Sequence, residues 1–139
     1  MRRILTALIT IATFFTLAAL NLSSAAAQES SSADTATGIA ACYSSRLAGH
    51  RTSSGKRYDP NLLTAAHATM PIGTRVKVTD IENDQTVVVL VNDRLSAHAG
   101  GGIIMDISQR ACRELKFGPG GKAKVKLEVL SSNTPGKSH

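Results

Sequence analysis

The sequence predicts a small β-barrel that closes on itself and is filled by aliphatic side chains. Several short runs alternate apolar and polar residues with the two-residue period of a strand, and only one segment has the features of a helix. The 139-residue chain also contains just three Phe, two Tyr and no Trp, so Val, Ile and Leu must fill its core. A barrel of this kind has no room for a deep cavity. We therefore expect function to lie in a surface groove, which suits a polymeric ligand.

The periodicity places five strands and one helix in the domain. The predicted strands are 38–44, 74–80, 85–92, 103–107 and 122–130. Turn-forming residues at 81–84 join the second and third strands into an antiparallel hairpin. Ser108 is a good N-cap for a short helix over 109–115, and Asp106 is expected to be structural because negative charge favours a helix start. In the last strand lysines alternate with apolar residues, which predicts a solvent-facing lysine row, with contact to an anionic ligand as the alternative.

The first 27 residues have the features of an export signal. Arg2 and Arg3 give a charged start, residues 4–20 are apolar, and 25–27 provide the small side chains that signal peptidase favours. An uncleaved membrane anchor is the alternative, because the apolar stretch approaches the length of a spanning helix. No cysteine sits at the predicted cleavage point, where a lipid would be attached. We therefore expect an exported protein, periplasmic or secreted, with neither a lipid anchor nor stable membrane insertion.

The remaining chain is long enough for one domain. We expect a polar linker over 28–37, the barrel over 38–130 and a disordered tail over 131–139. The net charge of +6 falls to +4 when the two arginines of the signal are removed. Basic residues are scattered without interleaved aromatic residues, which argues against nucleic acid as a partner. A mild positive charge in an exported protein instead favours encounter with anionic envelope polymers.

Cys42 and Cys112 both lie in the exported part, where an oxidising compartment lets a disulfide persist. We expect the two to pair. Closing a loop of about 70 residues would stabilise the fold by roughly 4 kcal/mol. Two buried free thiols or a catalytic thiol are the alternatives, although neither cysteine has a histidine neighbour in the sequence.

A lone histidine and a lone aspartate stand at the edges of two β-forming runs joined by a polar turn. His67 precedes the first run and Asp93 follows the second. Imidazole and carboxylate are the commonest proton-transfer groups, and strand ends that open into loops can present them to a substrate. The alternatives are a packed histidine ring and an aspartate that only terminates a strand. His67, Asp93 and His98 lack the spacing of any recognised metal site, so the sequence predicts neither a metal nor a cofactor.

Three motifs occur in order along the chain: RTSSGKRYDPNLLTAAHATMPIGTRVKVTD, then VVVLVNDR, then MDIS before a short helix. Together they resemble the rare lipoprotein A (RlpA) family, and the likeness covers essentially all of 38–130. The resemblance implies a mainly β fold, a six-stranded double-psi β-barrel with one or two short helices. It also implies a septal or envelope lytic transglycosylase that acts on peptidoglycan and prefers glycan strands stripped of stem peptides. The family is related to the barrel of expansins, which loosen walls without clear hydrolysis.

The resemblance also assigns roles to individual residues. His67 falls on the histidine of the family's TAAH motif and Asp93 on the aspartate of its VNDR motif, so these two are the implied catalytic residues. Arg94 of the same motif is expected to contact substrate. Tyr58 is expected either to stack its ring on a sugar or to pack within the fold. Lys56, which we also expect at the substrate, stands where the family has the glutamate of its TASGE motif.

A lytic transglycosylase cleaves the muramyl-glucosaminyl bond by letting the muramyl 6-hydroxyl attack its own anomeric carbon. One group can protonate the leaving oxygen and then remove the 6-hydroxyl proton, and we assign both steps to Asp93. The acid step predicts an Asp93 pKa raised above about 3.9, by burial or a nearby carboxylate, whereas a close Lys56 ammonium would lower it. Three accounts stay open: Lys56 points away, it binds the muramyl lactyl carboxylate while catalysis is slow, or the domain is a non-catalytic peptidoglycan-binding or expansin-like wall-loosening module.

Overall fold

The computed structural model describes residues 34–96 and 99–132. These residues form six strands, one α-helix and one short 3₁₀ helix. The strands are β1 (Thr35–Cys42), β2 (Thr64–His67), β3 (Arg75–Asp80), β4 (Thr86–Asp93), β5 (Ile103–Ile107) and β6 (Lys122–Ser131). The α-helix is α1 (Gln109–Glu114), and the 3₁₀ helix is Ser45–Leu47.

The six strands close into a barrel in the order β1-β5-β2-β4-β3-β6. The pairs β1 with β5 and β2 with β4 are parallel, and the other pairs are antiparallel. This confirms the predicted mainly β, six-stranded closed barrel. Apolar side chains that are at most 1% exposed fill its interior: Val76, Val78, Val89, Val91, Met105, Ile107, Val125 and Leu127.

Local patterning accounts for most of these elements. β3 and β4 pair as the predicted antiparallel hairpin. In its turn, Asp80 and Asn83 side chains each accept the backbone N–H two residues later, at 2.8 Å in both cases. Such bonds make these residue types good turn formers. On β6 the lysines are exposed while Val125 and Leu127 are buried, so the alternation of apolar and charged residues matches the inward and outward faces.

β2 is the strand that the periodicity did not predict. It has only four residues, and Thr64, Ala65 and Ala66 are all buried, so no alternation marks it in the sequence. It pairs parallel with β4 and antiparallel with β5. Its position between these two strands makes it the centre of the site described below.

Cys42 and Cys112 form a disulfide, as predicted, which joins the end of β1 to α1. Their Cα atoms are 6.0 Å apart. Ser108 caps α1, because its hydroxyl accepts the N–H of Ala111 at 3.3 Å. The disulfide thus holds the short helix beside Tyr43, the first residue after β1.

The chain ends were predicted to be a signal, a linker and a tail. β1 begins at Thr35, within the stretch predicted as linker, and β6 ends at Ser131. The predicted signal over 1–27, residues 28–33 of the predicted linker and residues 133–139 of the predicted tail lie outside the described residues. Within 34–96 and 99–132, no helix is long and apolar enough to span a membrane.

Candidate active site

A row of charged and small residues crosses the outer face of the barrel. Ala66 of β2 is in register with Asp93 of β4 on one side and with Asp106 of β5 on the other. Asp106 is level with Ala41 of β1, and Ala41 with Lys122 of β6. Residues opposite one another on paired strands point to the same face of a sheet. The two carboxylates therefore flank Ala66, and the lysine lies beyond Asp106.

The segment between β1 and β2 folds over part of this row and forms a shallow pocket with a cavity volume of about 10 Å³, room for about one water molecule. Both carboxylates line it, among mostly polar and small residues: Tyr43, Thr52, Tyr58, Thr64, Ala65, Ala66, Asn92, Asp93, Asp106 and Ser108. This volume is far below the roughly 300–1,000 Å³ of typical small-molecule sites. Only part of a larger ligand can enter it.

Four hydrogen bonds hold the Asp93 carboxylate. The N–H and the hydroxyl of Ser53 donate to Oδ1 at 3.0 and 2.9 Å. The Arg94 N–H donates to the same oxygen at 2.8 Å. The Tyr43 hydroxyl donates to Oδ2 at 3.0 Å. Because an ionised carboxylate accepts hydrogen bonds more strongly than a neutral acid, this arrangement favours the ionised form.

The pKa of Asp93 accordingly lies below its ordinary value. Partial burial raises it, but the hydrogen bonds from Ser53, Arg94 and Tyr43 together outweigh burial. The expected upward shift was therefore wrong for the free protein, in which Asp93 is ionised at neutral pH. Burial, the bond to Asp93 and the charge of that carboxylate raise the pKa of Tyr43 to about 12, so its hydroxyl remains a donor.

Ser53→Ala should raise the pKa of Asp93, because it removes the hydroxyl bond to Oδ1 and keeps the backbone bond. A carboxyl whose pKa is lower in the folded state stabilises the fold above its unfolded pKa of about 3.9, and this contribution is lost as the pH falls through the folded pKa. We expect the variant to lose about 0.5–1.5 kcal/mol of unfolding free energy at neutral pH and less in strong acid. An NMR titration of the Asp93 carboxyl carbon measures the shift.

Ser54→Ala is the matched control for this experiment. The Ser54 hydroxyl contacts the Thr52 hydroxyl at 2.8 Å rather than Asp93. Its removal should leave the Asp93 titration unchanged. Identical Asp93 titrations in Ser53→Ala and the unmodified protein would contradict the account of the lowered pKa.

His67 does not line the pocket. It is level with Met105 of β5, and successive residues of a strand point to opposite faces, so its side chain lies on the other side of β2 from Ala66. Its Nδ1 accepts the N–H groups of Thr69 and Met70 at 3.1 and 3.0 Å. Parallel pairing of β2 and β4 brings the two strand ends together, but the imidazole turns toward the loop after β2.

The His67 ring is neutral near physiological pH. Burial, and secondarily the charge of Arg94, lower the pKa of His67. Because two backbone N–H groups donate to Nδ1, the ring proton resides on Nε2. Within the described residues, no hydrogen bond joins this ring to Asp93.

Arg94 links the two strand ends. Its Nη1 donates to the carbonyl oxygen of Met70 at 2.6 Å and to that of His67 at 3.2 Å. Its own N–H donates to Asp93. His67 is therefore connected to Asp93 only indirectly. The imidazole accepts the Met70 N–H, the Met70 carbonyl accepts the Arg94 side chain, and the Arg94 N–H donates to the carboxylate.

Lys56 lies on the exposed turn that also carries Ser53. Its carbonyl accepts the N–H and the hydroxyl of Thr52 at 2.8 and 2.7 Å, and Gly55 supplies the φ of 86° that the turn needs. Its ammonium has no hydrogen-bond or ion-pair partner in the described part of the chain. The Lys56 charge does not contribute to the lowered pKa of Asp93, which the hydrogen bonds from Ser53, Arg94 and Tyr43 produce.

Tyr58 is 5% exposed and leaves little ring surface for a sugar. Its ring meets that of Tyr43 edge-on, with centroids 4.6 Å apart. Its hydroxyl accepts the Gln109 N–H at 3.3 Å, while the Gln109 amide donates to the Tyr43 carbonyl at 2.6 Å. The packing alternative fits this geometry better than stacking, since Tyr58 and Gln109 hold Tyr43 in place beside the carboxylate.

Three residues of the site were not predicted to be there: Tyr43, Ser53 and Asp106. Asp106 lies in β5, within the predicted strand 103–107, and it was expected only to favour the helix start; in the structure it also lines the pocket. Burial raises the pKa of Asp106, and the nearby charge of Lys122 opposes this shift. Its place in the MDIS motif was the one available signal.

No group of three or more His, Cys, Asp or Glu side chains that could hold a metal ion occurs within 34–96 and 99–132. His98 lies outside these residues.

The chain is similar to several bacterial proteins named endolytic peptidoglycan transglycosylase RlpA. It is 45% identical over 104 residues to the endolytic peptidoglycan transglycosylase RlpA of Neisseria meningitidis serogroup B, which covers 75% of this chain and 41% of the relative. It is 44% identical over 93 residues to the probable endolytic peptidoglycan transglycosylase RlpA of Synechocystis, covering 67% of this chain and 28% of the relative. The chain thus spans less than half the length of these curated relatives.

Solved structures share the barrel fold. The apo expansin of Clavibacter michiganensis matches with a TM-score of 0.54 and 23% identity, over 73% of this chain and 52% of the expansin. A mutant of that expansin in complex with cellohexaose matches with a TM-score of 0.55 and 19% identity, over 73% and 53%. A Streptomyces papain inhibitor matches with a TM-score of 0.53 and 21% identity, over 70% and 94%. At these identities the likeness extends to the fold alone.

A sequence model of the family described as lytic transglycolase matches residues 35–127. That range runs from the first residue of β1 into β6 and contains both carboxylates of the pocket. The match and the relatives above confirm the resemblance inferred from the three motifs. The chain belongs to the lytic transglycolase family of double-psi β-barrels.

Proposed function

We propose that this domain is an exported peptidoglycan lytic transglycosylase, which cleaves glycan strands, preferably without stem peptides, to give 1,6-anhydromuramyl ends. The observation that carries the proposal is the Asp93 carboxylate, ionised and fixed by four hydrogen bonds in the wall of an outer pocket. Relatives that are 44–45% identical bear the name of this activity. Because the chain matches less than half of their length, their activity supports the proposal without deciding it.

An ionised Asp93 suits the base half of the reaction. The muramyl 6-hydroxyl must lose its proton as its oxygen bonds to the anomeric carbon, and a carboxylate within hydrogen-bond reach can accept that proton. Ser53 and Tyr43 hold the carboxylate in one orientation. Fixed geometry of this kind lowers the barrier because little reorganisation remains for the reaction itself.

His67 and Arg94 act in this proposal as positioning residues. Their contacts with Met70 keep the end of β2 against the end of β4, where the Arg94 N–H meets Asp93. The Arg94 side chain is exposed beyond these contacts and can also reach an anionic group of the substrate. The Tyr58 ring packs edge-on against the Tyr43 ring and so helps to hold it beside Asp93.

The direct test uses purified glycan strands with their stem peptides removed. The protein without its first 27 residues is incubated with the strands, and mass spectrometry detects soluble products with 1,6-anhydromuramic ends. Their appearance supports the transglycosylase. Retention on the strands without any such product would instead support the alternative, a non-catalytic peptidoglycan-binding or expansin-like wall-loosening module. The same assay with strands that keep their stem peptides measures the preference for strands without them.

Lys56→Glu separates the accounts of Lys56. We propose that the exposed ammonium contacts the lactyl carboxylate of a muramyl unit, so charge reversal should raise KM for glycan strands about two- to fivefold, as for an exposed ion pair, and leave kcat unchanged. Lys116→Glu, an exposed charge reversal beyond α1 and outside the pocket lining, is the control. A rise in kcat in Lys56→Glu would show that the native lysine restrains the Asp93 chemistry, contrary to this proposal.

The proposed setting is the periplasm or the cell exterior, with peptidoglycan as partner and residues 1–27 as a cleavable signal. The names of the relatives place their substrate in the wall, which lies outside the cytoplasm. The N-terminal residue of the secreted protein, read by mass spectrometry, tests the cleavage site. A fatty-acylated N-terminus would contradict the proposal that the exported protein has no lipid anchor.

A further inference from the structure

We propose that Asp106 is the proton donor to the leaving oxygen, while Asp93 takes the proton of the attacking 6-hydroxyl. This inference rests on the proposed transglycosylase function and divides between two carboxyl groups the work that one was expected to do. Both groups line the same pocket, and both belong to strands that pair with β2.

Asp93 and Asp106 belong to the two strands that flank β2, one on each side of Ala66. Ala66, which is 2% exposed, lies between Asp93 and Asp106 and contributes only a methyl group, so both acids line one shallow pocket with no larger side chain of β2 between them. Two inter-strand spacings put their Cα atoms roughly 10 Å apart. Glycosidases that use two acids likewise hold them on opposite sides of the bond that is cleaved.

Asp93 and Asp106 differ in how the protein holds them. Asp93 accepts four hydrogen bonds. The Asp106 carboxyl group accepts none from residues 34–96 and 99–132. It is therefore free to bond with an oxygen of the substrate, which a proton donor must do.

The surroundings of the two acids shift their pKa values in opposite directions. Burial raises the pKa of Asp106, whereas hydrogen bonds lower that of Asp93. Pairs of titratable groups whose environments push their pKa values apart are typical of acid and base partners. Among residues 34–96 and 99–132, the charged or titratable groups around Asp106 are Lys122 of β6, Asp93 of β4, and Tyr43 and Tyr58 of the segment between β1 and β2. The β2 strand contributes the uncharged Ala66.

The two proton transfers need no water molecule. The Asp106 carboxyl gives its proton to the glycosidic oxygen as the bond to the anomeric carbon breaks, and the electron pair stays on that oxygen, which leaves as the 4-hydroxyl of glucosamine. The 6-hydroxyl oxygen bonds to the anomeric carbon and passes its proton to the Asp93 carboxylate. After product release, Asp93 loses this proton to solvent and Asp106 regains one.

The test compares Asp106→Asn and Asp93→Asn on two substrates. One is the glycan strand, whose sugar leaving group needs a proton. The other is a glucosaminyl-muramyl oligosaccharide with a 4-nitrophenyl leaving group, which departs without one. In Asp106→Asn, the rate on strands should fall 10²–10⁴-fold and the rate on the aryl substrate less than tenfold. In Asp93→Asn, the rates on both substrates should fall. Equal losses of Asp106→Asn on both substrates, or no loss on strands, would overturn the assignment.

Lys122→Met gives a second readout that a merely structural Asp106 would not move. Because the ammonium favours the carboxylate form, its removal should shift the alkaline limb of the pH-rate profile on strands to higher pH. Lys124→Met, also exposed on β6, should leave the limb in place. An unmoved limb in Lys122→Met contradicts the inference alone. If the unmodified protein releases no anhydro ends from strands, the proposed function fails as well.

Discussion

Asp93→Asn should reduce the release of anhydromuramyl ends from glycan strands about 10²–10⁴-fold, the usual contribution of a general acid-base group. An amide cannot accept the 6-hydroxyl proton. The substitution keeps one oxygen for the Ser53 and Arg94 donors, and the new amide nitrogen faces the Tyr43 hydroxyl, which can turn to accept. We therefore expect the variant to fold.

Product release measured by mass spectrometry, together with the midpoint of denaturant unfolding, separates loss of chemistry from loss of fold. Tyr43→Phe is the matched comparison, because it removes a hydrogen bond from Asp93 while leaving the carboxylate able to accept a proton. Its rate should fall much less than that of Asp93→Asn. Undiminished activity of Asp93→Asn would remove Asp93 from the mechanism, and with it the observation on which the proposed function rests.

Replacing both cysteines, as Cys42→Ser with Cys112→Ser, should lower the free energy of unfolding by roughly 4 kcal/mol. The disulfide closes a segment with a sequence separation of 70 residues and so restricts the unfolded chain over most of the barrel. Single domains are stable by only about 5–15 kcal/mol, so this is a large share. Cys112 is also 6% exposed, and a buried serine hydroxyl there adds a further cost.

Denaturant unfolding of the oxidised protein, the reduced protein and the double variant measures this effect. The reduced protein and the double variant should both unfold at lower denaturant concentrations than the oxidised protein, since both lack the cross-link, and the double variant at the lowest because of its buried serine. Because the disulfide fixes the start of the segment that carries Tyr43, we also expect both forms to be less active before they unfold. An unchanged midpoint in the double variant would show that the packed barrel alone sets the stability.

Features that depend on neighbouring residues could be predicted from the sequence. The β3–β4 hairpin, the alternating faces of β6, the Ser108 cap and the approximate ends of β5 follow from local periodicity, turn residues and capping. The Cys42–Cys112 pair followed from cysteine number and compartment. Asp93 was predicted to be functional from its position at the end of a strand. The motif that contains it helped to indicate the family that the comparisons show.

Only the tertiary structure decided what surrounds Asp93. Tyr43 and Ser53 are 50 and 40 residues away in sequence, and no local pattern brings their donors to a carboxylate or predicts that they lower its pKa. The position of β2 between β4 and β5 places Asp106 opposite Asp93 and turns His67 away, because registers between distant strands determine which face each side chain occupies. Periodicity along one strand carries no information about the register of its neighbours, so the chemistry of the pocket is a property of the closed barrel.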